Sequence, residues 1–529
     1  MLLFFLLRCA TAQDYFLAPD GKDENDGRSA AQAWKTLARA SRDEFMPGDK
    51  VFLKSGAEFS GTLTLKIAGG GKAETPVEVT GTSDKNAPAT ILAGEGNGIV
   101  VRDTAVRLFN LVIRGSGPAT NKSSGVRLYN DRPNGDKRSD VCIQDLKISG
   151  FGHAGIAIEG ACADKSASGF SDVMIERCTV SDGMSYGIFS DGFEQPRGSW
   201  KFSHADIVVR GCEVFGISGD PNKHDNHSGN GILLGNVDGA LIEKCCAHDN
   251  GAKNGSHDGG PVGIWAYCGR KVVIQYCESY ANRAGERNLD GGGFDLDGGI
   301  SDSIMQYNYS HDNDGAGYLV YSYKDAPHEF RDNVVRFNVS INDGRRGDYG
   351  GIAVGQHGDK NINSLIHNNL VIVNGSAKGK AAALIDCNTS GLRVFNNIFM
   401  ARKGAFLLTT WGNPAGKELT MAGNTWLYED TPSLIAGNAA SASVADWLAK
   451  ANFPADAWKD SLAKSNTIPS QAAEKLWPRE VSALKLLFER LESADAAAVD
   501  LKERGVAMPA KDFFGKANPK EKFAGPFAP

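Results

Sequence analysis

The segment Gly293-Phe294-Asp295-Leu296-Asp297-Gly298-Gly299 sets two carboxylates two residues apart between glycines. Side chains alternate across a β-strand, so Asp295 and Asp297 share one face, with Cα atoms about 6.5 Å apart. Like charges that close raise the proton affinity of one partner. A general acid working near neutral pH needs that shift, with the second carboxylate as base or nucleophile. Carboxyl groups about 5–5.5 Å apart suit a retaining displacement at a sugar carbon, and about 6.5–9.5 Å leaves room for an attacking water and inversion. The spacing leaves both open. It also leaves open a Ca²⁺ site, for which Asp290, Asp295 and Asp297 are hard oxygen donors, and a plain solvated edge.

Such a pair needs a repeating element to hold it, and the chain has one. A strand of the form hydrophobic-x-x-(Cys or Asn) recurs, as in VMIERCTV, VVIQYCES, SIMQYNYS and LRVFNNIF. Its key column is Cys178, Cys212, Cys245, Cys277, Asn308, Asn338, Asn369, Asn397 and Asn424, spaced about 30 residues apart, with Leu111 and Leu146 extending it upstream. Stacked coils of short strands, one rung every 4.8 Å or so, predict this column. The asparagines form an internal amide ladder, and the cysteines fill the same inward position as free thiols rather than disulfides. Asn308 and Asn338 match glycosylation acceptors, but ladder positions are buried. Extra loops at Gly216 to Gly229 and Asn250 to Pro261 wall a groove on one face.

A second phrase, Gly-h-x-h-x, sets the outward positions. One column reads Ala157, Phe189, Leu233, Trp265, Asp295, Leu319, Ala353 and Leu384; the other reads Glu159, Asp191, Gly235, Tyr267, Asp297, Tyr321, Gly355 and Asp386. The expectation is a solvent-facing sheet on which Trp265, Tyr267, Tyr321 and Phe189 stack against sugar rings. Glu159 adds a polar partner there, and Asp191, on an earlier rung, can replace either acid by activating water. His248 and His311, the latter beside Asp312, are placed at the turn leading into the same cleft, to orient substrate or serve as base, or simply to brace the turn. Arg283 and Arg287, in the loop entering the aspartate strand, are candidates to hold an acidic or sulfated sugar, with a solvated loop as the plain alternative. His224, His227 and His257 match no zinc spacing, so no metal is assigned, and Ca²⁺ stays open.

Bulk properties agree. The 529 residues carry 57 basic and 63 acidic side chains, a formal charge of −6, with no basic stripe, which argues against a nucleic-acid partner. The 63 glycines have no G-X-Y period, which excludes collagen. An apolar run from Leu2 to Leu7 before Ala10-Thr11-Ala12 predicts a signal peptide over 1–12 and a secreted or periplasmic protein, and it is too short to span a bilayer. Residues 13–90 are expected to form an N-terminal cap and first coils, 91–429 the solenoid with its groove, and 430–529 an alanine-rich helical region packed on it. A monomer or weak oligomer is expected, with no required cofactor.

The coil pattern over roughly 90–425 resembles the pectate-lyase-like superfamily of right-handed parallel β-helices. The opening YFLAPDGKDENDGRS…WKTLARA…PGDKVFLKSG looks like the N-terminal cap of its secreted members. The stretch NLDGGGFDLDGGISDSIMQYNYSHDNDGAGYLVY resembles the core of β-helix carbohydrate-active proteins. The resemblance implies an all-β solenoid acting on a polysaccharide or oligosaccharide. Asn-Thr-Asp and Gly-His-Gly, the marks of polygalacturonase-type enzymes, are missing, and so is the Asp-Pro-His of mannuronan epimerases. The Asp-x-Asp pair is more like that of carrageenan-cleaving β-helix hydrolases. Glycoside hydrolysis therefore ranks first, a Ca²⁺-dependent lyase on uronic-acid glycans second, and a non-catalytic glycan-binding solenoid third.

Overall fold

The computed structural model describes residues 12–81, 87–288, 290–346, 348–375, 380–402, 404–412 and 418–428, with the backbone of Ser433–Ala436, Ala439–Ser441 and Asn466–Thr467. The leader expected before residue 12 and the helical region expected over 430–529 lie outside these residues, apart from those three backbone segments, which are strands. The chain divides into two compact units. One comprises Met1–Met184, Ile188–Phe193 and Ser203–Glu213; the other comprises Ser185–Gly187, Glu194–Phe202 and Val214–Pro529. Each is a parallel β-solenoid.

In the first unit, strand Asp14–Leu17 pairs in parallel with Lys50–Leu53, which pairs with Val77–Gly81, then Val106–Phe109, Lys137–Gln144, Gly169–Glu176 and His204–Arg210. Between the first two strands lies the short helix expected near Trp34, Leu37–Ala40, whose first turn is capped by Thr36 accepting from Arg39 N–H at 3.1 Å. Trp34 is buried, stacked on Tyr15 at 5.0 Å. Val77–Gly81 and Ala89–Gly94 alternate buried and partly exposed positions, as the period of two requires.

The second unit repeats the plan. On one face Val262–Gln275, Gly292–Leu296, Tyr318–Tyr323, Gly350–His357, Ala381–Asp386 and Phe406–Trp411 stack in parallel. On another, Cys246–His248, Glu278–Tyr280, Tyr309–His311, Val339–Ile341, Leu370–Val373 and Ile398–Ala401 do the same.

The amide ladder is present. Asn308 Nδ2 donates to Asn338 Oδ1 at 3.1 Å, Asn338 to Asn369 at 3.0 Å, Asn369 to Asn397 at 2.9 Å and Asn397 to Asn424 at 2.9 Å. Cys277 N–H joins its end by donating to Asn308 Oδ1. Both candidate glycosylation asparagines are fully buried. Cys142, Cys162, Cys178, Cys212, Cys245, Cys246, Cys268, Cys277 and Cys387 are all free thiols.

Two features of the corners escaped the sequence reading. The residue before each ladder position is left-handed: Asn110, Asp145, Arg177, Lys244, Tyr276, Tyr307, Phe337, Asn368 and Asn396 have φ between 50 and 58°. Each costs about 1 kcal/mol for a residue with a Cβ, and the ladder side chain that follows ties the corner down. A second ladder, Asn250 to Asn282 to Asn313 to Asp343, follows left-handed Asp249, Ala281, Asp312 and Asn342 at the next corner.

Candidate active site

The face that carries the aspartates has the register expected. Leu233 pairs with Trp265, Trp265 with Asp295, Asp295 with Leu319, Leu319 with Ala353 and Ala353 with Leu384. It is not a solvent-facing sheet, however. Asp295 and Trp265 are each 3% exposed, and Leu319, Ala353 and Leu384 form a buried apolar cluster outside the coil lumen, covered by Tyr321 and Tyr349. The loops on this face fold over it, and what remains is a pocket of about 740 Å³.

Asp290, Asp295 and Asp297 all line that pocket, with Trp265, Tyr321, Arg287, His227 and Trp411. Asp295 is the deepest acid, and its Oδ1 has no hydrogen-bond partner. Burial first, then the charges of Asp297 and Asp290, push its carboxyl well above the usual range. Asp297 keeps an exposed edge and accepts from Gly298 N–H at 2.7 Å; burial pushes it up to about 7. Burial also pushes Asp290 up to about 7, against the pull of a hydrogen bond from the Gly260 backbone. Gly260 must lack a side chain, because a Cβ there would lie 1.9 Å from Asp290 Cβ. Asn288 ties the two loops together: its amide donates to the carbonyls of His257 and Gly259, and its Oδ1 accepts from Asp290 N–H.

Trp265 is fixed by its indole N–H to Asn230 Oδ1 at 3.1 Å. With that oxygen committed, the Asn230 amide faces His227 Nδ1 at 2.9 Å, so Nδ1 accepts and Nε2 carries the proton. Burial holds His227 down to about 4, so the ring is a neutral donor at pH 7. Among the described residues no group of three or more His, Cys, Asp or Glu is arranged to hold a metal ion.

Other expected site residues fall elsewhere. Asp191, Glu159 and Phe189 belong to the first unit. There Glu159 is held by Arg127 and His153, and Asp191 by Gly192 N–H. His248 and His311 are on the other sheet face. They belong to a stack of parallel rings, Phe215, His248, Tyr280 and His311, at 5.1, 4.7 and 4.8 Å, because side chains in register on successive rungs fall on one another. His311 bonds Asp312 and Glu278, and it braces its turn rather than entering the pocket. Arg283 is tied to the Asp312 carbonyl and the Asp314 carboxylate. Tyr267 lies against Gly235 and tilts toward Trp265, with ring centroids 5.8 Å apart. The sequence marks Asp290 only as a metal donor and gives no sign that His227 and Trp411 line the pocket, because they come from loops and distant rungs that no local motif connects.

Comparison with known proteins agrees with this architecture. The model of the right handed beta helix region matches residues 165–364. The fold is a right-handed parallel β-helix. A lacto-N-biosidase of Bifidobacterium longum subsp. longum is 24% identical over an alignment of 487 positions that covers 75% of this chain, and the chain spans only 29% of that relative's length. The GH136 lacto-N-biosidase of Eubacterium ramulus superimposes with a TM-score of 0.52 in its selenomethionine form, at 18% identity, over 80% of this chain and 68% of that one. Its native form gives 0.52 at 16% identity, over 78% and 68%. No helix among the described residues is long and apolar enough to cross a membrane.

Proposed function

We propose that this chain is a glycoside hydrolase acting on a neutral oligosaccharide or polysaccharide in the acidic pocket. The observation that carries the reading is the group Asp290, Asp295 and Asp297, buried together with raised proton affinities beside Trp265 and Tyr321. Asp290 and Asp297, each near 7, are each partly protonated at neutral pH, so one carboxyl can serve as acid and the other as base or nucleophile. Asp295, whose carboxyl burial and the charges of Asp297 and Asp290 push well above the usual range, is the hydrogen-bond donor, and neutral His227 offers a second donor. Trp265 and Tyr321 take the apolar face of a sugar ring. This departs from the expected Asp295–Asp297 pair in giving Asp290 a reacting role. The name of the relative, lacto-N-biosidase, supports glycoside cleavage. A reaction of this kind requires no metal, and an exported protein fits a polysaccharide substrate.

Five aspartates, Asp258, Asp290, Asp295, Asp297 and Asp348, line the pocket against one arginine, Arg287. That field works against a uronate substrate, and so against the lyase reading. The test is a panel of neutral and uronic glycans, with lacto-N-biosides among the neutral ones, assayed for reducing ends and for unsaturated products. Asp290→Asn and Asp297→Asn should each lose at least about a thousandfold in kcat, and Asp295→Asn, which still donates a hydrogen bond, about 10- to 100-fold. If Asp290→Asn stays active while Asp295→Asn is dead, the reacting pair is Asp295–Asp297. Glycan retention without new ends in the parent would make the protein a binder.

A further inference from the structure

Trp411 ends the strand Phe406–Trp411 and is 40% exposed. Among the described residues the exposed large hydrophobic side chains are Met46, Met174, Tyr276 and Trp411, and of these Trp411 lines the acidic pocket. An exposed indole forgoes the stabilisation that burying its apolar surface would give, and its position in the pocket offers a use for that surface. Tyr321 pairs with Gly355, and Asp386 with Trp411, in the column that begins at Asp297. Four rungs at about 4.8 Å put the Trp411 backbone about 19 Å from Asp297 along the stack. The ring nevertheless reaches back toward the acids. A Cβ on Gly355 would lie 2.9 Å from the Tyr321 ring and 3.3 Å from the Trp411 ring. Both rings therefore border the space over Gly355, which any side chain there would fill.

The backbone beneath the indole is fixed. Cys387 N–H donates to the Trp411 carbonyl at 2.8 Å. Asp386, paired with Trp411, is buried and accepts from Asn388 N–H at 2.8 Å and from its amide at 3.0 Å, and Gln356 holds the Asn388 carbonyl. The backbone under the indole is thus fixed, and the ring presents an aromatic surface over Gly355, two rungs along the groove from Asp297.

We propose that Trp411, seated beside Tyr321 over Gly355, is a distal subsite that stacks a neutral sugar ring of the substrate remote from the bond that is cleaved. The proposal rests on the glycosidase reading above. A subsite beyond the reacting sugar is engaged only by substrates long enough to reach it, so its contribution grows with chain length.

The experiment measures kcat and KM on an aryl lacto-N-bioside and on neutral oligosaccharides of graded length built on lacto-N-biose, for the parent, Trp411→Ala, Trp411→Tyr and Gly355→Ala. The parent-to-variant ratio of kcat/KM should rise about tenfold from shortest to longest substrate in Trp411→Ala, carried in KM. Gly355→Ala should show the same trend, because it displaces both rings without deleting either, and Trp411→Tyr should restore most of the loss. Tyr276→Ala, an exposed aromatic on another part of the surface, should show no length dependence. A ratio that stays flat with length in Trp411→Ala overturns the subsite and leaves the pocket reading intact. If the parent cleaves none of these, the length series is built on the neutral glycan of the panel that it does cleave, and cleavage of no glycan overturns both.

Discussion

Asp290 and Asp297, the pair proposed to react, show what a carboxylate of raised proton affinity costs the fold. Their folded values lie near 7, above the ordinary value of a carboxyl in an unfolded chain, so the folded protein binds their protons more tightly. Below the unfolded value both states are protonated and nothing is lost. As pH rises from about 4 through about 7 the unfolded chain releases its protons first, and stability falls. Replacing either acid by asparagine removes that penalty. Asp290→Asn and Asp297→Asn should melt above the parent at pH 8, by on the order of a few kcal/mol, and converge with it near pH 4. Thermal melts across that range check this. A variant less stable than the parent at pH 8 would mean that the backbone hydrogen bond each carboxylate accepts, from Gly260 at Asp290 and from Gly298 at Asp297, outweighs the cost of burying its charge.

The same logic applies at the level of the elements, where the corners decide cost. Asn338 is fully buried and makes four ladder contacts. It donates to Asn369 Oδ1 at 3.0 Å and to the Met305 carbonyl at 2.9 Å, and it accepts from the backbone and side chain of Asn308 at 3.0 and 3.1 Å. Alanine there strands several buried polar groups, and about 3–5 kcal/mol should be lost. Cys245 stands in the same column, with its sulfur on the Glu243 carbonyl at 3.3 Å. Its thiol contributes mainly volume, so Cys245→Ala should cost about 1 kcal/mol. Denaturant unfolding of the two variants measures the difference. Equal losses would mean that the column works by packing rather than by its amides.

For the whole molecule, the solenoid supplies positions and the loops supply closure. A flat β-helix face would take any extended glycan. Here loops carrying His227, His257, Asn288 and Tyr349 fold over the strands, and the field inside is acidic. The overall charge of −6 adds to that field rather than opposing it. Oligogalacturonates should therefore fail to inhibit cleavage of a neutral substrate at concentrations where neutral oligosaccharides of the same length compete. Strong inhibition by the uronates, measured as a competitive Ki, would show that Arg287 dominates the pocket.

The repeat, the Cys and Asn ladder, the free thiols and the register that aligns Trp265, Asp295 and Leu319 were legible in the sequence. Each follows from local periodicity stacked at a constant rung height, which one chain carries along its own length. The left-handed corners were not legible, because Tyr307 or Phe337 at φ above 50° contradicts local preference and is held there only by the ladder side chain that follows. Nor could the sequence bring Asp290 into one pocket with His227 and Trp411, or place Asp191, His248 and His311 outside it. Those outcomes depend on which loop folds over which rung. Asp295 and Asp297 thus share a face because a strand has a period of two. They became buried acids of raised proton affinity only because Gly260, Asn288 and Tyr349 arrived from distant turns to exclude the water that would otherwise have kept them ordinary.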